Sequence, residues 1–100
     1  MLNIERKSNG ILEVSIALKK ALEKIETYAN CESLEYQINE SVRKDTDANV
    51  EYSQIEFVTK DTDGFFRGLI TEQMRVSGKY KHVETVTSFN KVYTTFTRGI

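Results

Sequence analysis

Apolar residues recur at three- and four-residue intervals early in the chain: Ile11, Val14, Leu18, Ala21, Leu22, Ile25, Tyr28 and Ala29. Lys19, Lys20, Glu23, Lys24 and Glu26 fall on the other side of the same periodicity. The spacing predicts an amphipathic helix capped by Ser8 or Asn9 and ending near Asn30. The stripe is shorter than the three or four heptads of a coiled coil, so its apolar face is expected to rest on a sheet.

Residues 33–42 fit two periods, because Leu34, Ile38 and Val42 match a helix while Leu34, Tyr36 and Ile38 alternate as in a strand. A short internal repeat favours the strand. Glu35-Tyr36 precedes Val42, Lys44 and Asp45-Thr46-Asp47, and Glu51-Tyr52 precedes Val58, Lys60 and Asp61-Thr62-Asp63 with the same offsets. The second copy reads as a strand running into a turn, and the first is assigned by analogy. Two copies are too few for a solenoid.

Threonines and aromatics crowd residues 80–97, as strands prefer. Asp63-Gly64 has the residue types of a tight hairpin turn, and Ser77-Gly78 and Asn90-Lys91 mark two further turns. Strands are therefore expected at 49–60, 65–76, 79–89 and 91–98. With two-residue turns, Phe57, Ile70, Thr85 and Phe96 share one face with Ile55, Phe66, Met74, Val76, Val83, Phe89 and Val92. That face is expected under the helix. The opposite face carries Arg67, Thr71, Gln73, Glu84 and Thr95, together with Val58, Leu69, Tyr80, Val86 and Tyr93. Of these, Val58, Leu69, Val86 and Tyr93 form a candidate oligomer face. The predicted fold is a single α+β domain over residues 1–100: one N-terminal helix packed on an antiparallel β-meander of four or five strands.

The composition suits a small folded domain, with 39% hydrophobic and 29% charged residues in 100. The net charge of −1 conceals a polarised chain. Residues 1–64 hold eight basic and thirteen acidic side chains, a net −5, whereas residues 65–100 hold six basic and two acidic, a net +4. The densest basic cluster is Arg75, Lys79, Tyr80, Lys81 and His82, on the expected hairpin around residues 75–82. Such a cluster suits docking on an acidic protein patch. It also suits phosphate contacts with base stacking, the alternative nucleic-acid reading.

Chemistry is sparse. One cysteine excludes a disulfide framework and a multi-thiolate metal site, and one histidine excludes paired-histidine metal motifs. Cys31 falls at or after the helix C-terminus, where the negative end of the dipole disfavours a thiolate. Asp61-Thr62-Asp63-Gly64 resembles the middle of a calcium loop. With Gly64 in the sixth position, however, Thr59 and Ile70 fall where carboxylates are required. Asp side chains bonding their own turns account better for both Asp-Thr-Asp pairs. No catalytic site, metal or cofactor is expected.

No run approaches the length of a membrane span, and residues 1–10 lack the continuous apolar stretch of a secretory leader. With a single unpaired thiol, a cytoplasmic setting without membrane contact is expected. The function expected is a non-enzymatic protein-interaction module, a small inhibitor or an assembly component, whose partner is a protein or a second copy of itself.

Overall fold

A computed structural model describes residues 4–5, 16–47, 50–76 and 80–99. The elements run β1 (Ile4–Glu5), α1 (Ile16–Cys31), β2 (Gln37–Asp45), β3 (Val50–Lys60), α2 (Gly64–Val76), β4 (Lys81–Ser88) and β5 (Lys91–Gly99). The fold is α+β. Four antiparallel strands make the body of the sheet in the order β2-β3-β5-β4, and the short β1 lies parallel against β2.

The first helix follows the apolar stripe. Leu18, Ala21, Leu22, Ile25 and Ala29 are buried, and the lysines at 19, 20 and 24 are exposed. The expected cap at Ser8 or Asn9 and the first apolar positions, Ile11 and Val14, lie outside the described residues. The helix ends in a Schellman motif. The Leu34 amide donates to the Ala29 carbonyl at 2.8 Å, and the Ser33 amide donates to the Asn30 carbonyl at 3.4 Å. Ser33 takes the left-handed conformation, φ 55°, that the motif requires.

The repeat is structurally real: each copy is a strand followed by a turn at its Asp-Thr-Asp. The first strand covers Gln37–Asp45, later than the expected 33–42. In its turn the Asp45 carboxylate accepts a 3.0 Å hydrogen bond from the Asp47 amide, as expected of a turn-forming aspartate.

The second copy departs from expectation. Residues 65–76 are not a strand, and Asp63-Gly64 is not a hairpin turn. Asp63 caps α2 instead, its carbonyl accepting from the Arg67 amide at 3.0 Å. Phe66, Ile70 and Met74 are buried at four-residue spacing along one helical stripe. Arg67 reaches back from the first turn of α2 and donates to the carbonyls of Lys60 and Asp61, pinning the end of β3 to the helix.

This second helix changes the sheet order. β3 and β4 both run antiparallel to β5, which lies between them, so β3 and β4 point the same way and α2 is the crossover. Both helices cover one face. Leu22, Ile25, Phe66 and Ile70 share a core with Ile38, Ile55, Phe57 and Phe96 from the sheet. Phe57 and Phe96 meet edge to face at 5.8 Å, and Tyr28 stacks on Phe66 at the same distance between centroids.

The strand faces are as expected for Ile55, Phe57, Thr85, Val92 and Phe96 on the helix side. The register differs: Thr85 pairs with Thr94 and Phe96 with Ile55, because the β4–β5 turn is at Phe89-Asn90 rather than Asn90-Lys91. Val76, Val83 and Phe89, expected beneath the helix, are exposed. The expected Ser77-Gly78 turn lies outside the described residues.

Candidate interaction surface

Along β4 the cover provided by the helices ends. The strand is the last in the sheet, bonded to β5 on one side and to no described strand on the other. Every side chain from Lys81 to Thr87 is exposed, although the strand alternates between the two faces like any other. His82, Thr85 and Thr87 lie on the helix side, opposite Phe96, Thr94 and Val92. Lys81, Glu84 and Val86 lie on the outer side, opposite Thr97, Thr95 and Tyr93. A bulge separates His82 from Glu84, so Val83 is the extra residue and the ladder is regular from Glu84 to Ser88.

Phe65, Val76, Val83, Val86 and Phe89 are the large hydrophobic side chains exposed among the described residues. Three of them belong to β4 or its turn. Phe89 is the extreme case, 96% exposed and held at φ 49°, with Asn90 following at φ 66°. Both central residues of the hairpin turn are therefore left-handed, the pattern that favours Asn and Gly rather than an aromatic.

The basic cluster does not form a hairpin tip. Arg75 ends α2 and is ion-paired with Glu72 at 3.0 Å on the exposed side of that helix. Lys79 lies outside the described residues. Tyr80 is 4% exposed, and its hydroxyl shares a 2.8 Å hydrogen bond with Ser53 on β3. Its ring is therefore a core element with no face free to stack a base. Lys81 opens β4. His82 bonds Thr85 through Nε2 at 2.7 Å, with its ring 5.6 Å from Phe96.

The candidate oligomer face is also divided. Val58, Tyr93 and Val86 do form one row across β3, β5 and β4 on the outer face. Val58 is buried, however, and Tyr93 half-buried, which leaves Val86 as the exposed member. Leu69 stands apart on α2. It lines a groove of about 540 Å³ between the helices with Lys20, Glu23, Tyr28, Cys31 and Gln73.

Cys31 and His82 belong to different places, the interhelical groove and the free edge. No cluster of three His, Cys, Asp or Glu side chains with metal-binding geometry occurs among the described residues. No helix among them is long and apolar enough to cross a membrane. Tyr36 is the residue with a displaced proton affinity. Burial, and secondarily the negative charge of Glu26, push its phenol well above the ordinary tyrosine range.

Sequence reasoning missed the edge because it placed a continuous meander through residues 49–98, in which 79–89 would have been an interior strand. Comparison with protein-family models, curated proteins and solved structures finds no match to this chain.

Proposed function

We propose that this chain is a non-enzymatic protein-interaction module, working in a cytoplasmic setting, that binds its partner by adding a strand to the free edge of β4. One observation carries the reading: β4 is an edge strand exposed on both faces, with Val83, Val86 and Phe89 displayed along it. An edge strand offers unpaired amides and carbonyls, and folded proteins ordinarily shield them with charge, a bulge or a covering element. Here the shielding devices, Lys81 and the bulge, sit at the start of the strand. From Glu84 to Ser88 a single charged side chain remains. Strand addition draws affinity from main-chain hydrogen bonds and selectivity from alternate side chains. The arrangement suits an inhibitor or an assembly component equally, because both need a docking edge rather than reacting groups.

The test is capture from native host lysate on the immobilised chain, with cross-links mapped by mass spectrometry. Interactors should be lost with Val86→Lys and Thr87→Lys and kept with Lys24→Glu, which alters the interhelical groove. Interactors that ignore both β4 variants would overturn the reading. Salt-sensitive retention of nucleic acid instead, weakened by Lys79→Ala and Lys81→Ala, would favour the basic-cluster alternative.

A further inference from the structure

We infer that the partner at this edge is a second copy of the chain, joined by antiparallel β4–β4 pairing with Val86 on the two-fold axis; the inference rests on the strand-addition reading. Two identical edge strands can pair antiparallel only about an axis perpendicular to the sheet. That operation keeps the helices of both copies on one face and sets each residue opposite one of the same parity. Because β4 is exposed on both faces, no helix of either copy stands over the junction.

The bulge at Val83 confines regular pairing to Glu84–Ser88, so few registers exist. An axis at Glu84 sets two carboxylates directly opposite each other, which is unfavourable. An axis at Val86 sets Val86 against the second copy's Val86, Thr85 against its Thr87 and Glu84 against its Ser88. No like charges then meet, and β-branched side chains pair with one another. The same register brings the second copy's Phe89 level with Val83, so the three exposed apolar residues of the edge cover one another. The sheet's other described edge is β1, two residues long, which offers no comparable ladder to β4. Pairing is therefore closed, a dimer rather than a fibre. Five paired residues a side make a junction smaller than a standard interface, so association belongs in the range of about 10–500 μM.

Sedimentation equilibrium across that range reads the outcome. The wild-type chain should approach twice the mass of one chain. Val86→Lys alone and Val86→Glu alone should each remain monomeric, since each sets a like charge against itself across the axis. Mixed in equal amounts, the two should recover the dimer, with affinity at least tenfold above either alone. Val86 is already half exposed, and unchanged circular dichroism will separate loss of pairing from loss of fold. A wild-type chain that stays monomeric at the highest concentration overturns the inference, as does a Val86→Lys chain that dimerises like wild type. A monomeric chain that still captures a host partner through β4 overturns self-pairing alone. A monomeric chain that captures nothing through β4 overturns the strand-addition reading as well.

Discussion

The hydroxyls of Tyr80 and Ser53 share a buried 2.8 Å hydrogen bond that ties the entry of β4 to β3, across the intervening β5. Both residues are almost fully buried. The free edge is therefore held at its start by a polar contact inside the core. Tyr80→Phe removes one partner and leaves the Ser53 hydroxyl buried without this bond, a loss of about 1–2 kcal/mol. Ser53→Ala should cost a similar amount, and the double variant should cost less than the sum of the two. Urea unfolding of the four proteins measures the coupling. Additive losses would show that the bond carries no energy of its own.

Phe89 stands where the hairpin turn needs a left-handed residue, and its side chain is almost wholly in solvent. An aromatic residue at that φ costs about 1 kcal/mol, and solvent gives nothing back. Phe89→Asn should therefore raise stability by about 1 kcal/mol, or roughly 4–8 °C in melting temperature for a domain of this size. The same variant should weaken dimerisation, because the apolar surface opposite Val83 is gone. A melting temperature that falls would show that Phe89 packs within its own chain.

The Tyr36 hydroxyl is buried and has no hydrogen-bond partner among the described residues, and its proton affinity is raised by burial and then by Glu26. Below the ordinary tyrosine value of 10.0 the ring is neutral in both folded and unfolded chains. Above it the unfolded chain loses the proton first, so stability falls as pH rises from that value towards the higher folded one. Tyr36→Phe abolishes this contribution. At pH 7 the variant should match or slightly exceed wild type, since a buried, unpaired hydroxyl is removed. Between pH 10 and 11 it should lose less stability than wild type, measured by denaturant titration at each pH. Parallel curves would contradict the assignment.

How far the sequence led is clearest at residues 63–76. Phe66, Ile70 and Met74 are four apart, and four is a multiple of two, so the same residues line one face of a strand or of a helix. Asp-Gly compounds the ambiguity, since it fits a hairpin turn and equally a helix cap followed by the first helical residue. Glu72 and Gln73, good helix formers, were the signal that separates the two. In α1 the apolar positions mix spacings of three and four, which no strand reproduces, and that helix was legible. The β4–β5 hairpin was legible in parity but not in register: moving the turn by one residue shifts the pairing by two and leaves each side chain on its face. The edge was illegible because it depends on strand order, which followed from the misread helix.

At the opposite end of β5 from its last residue, Lys91 lies directly across from Lys60. Both are exposed, and they line a shallow pocket of about 200 Å³ with Glu35, Gln37 and Val58. Like charges facing each other across antiparallel strands oppose pairing. Lys91→Glu turns the pair attractive and should stabilise the chain by about 0.5 kcal/mol at low salt. Raising salt should shrink the gain, since the pair is screened by solvent. A built-in control exists on the other hairpin, where Lys44 faces Glu51. Lys44→Glu makes that pair repulsive and should destabilise by a similar amount, with the same decline in salt. Chemical denaturation of both variants at low and high ionic strength is the measurement. Shifts of the same sign in the two variants would mean that net charge, rather than the facing pairs, governs the effect.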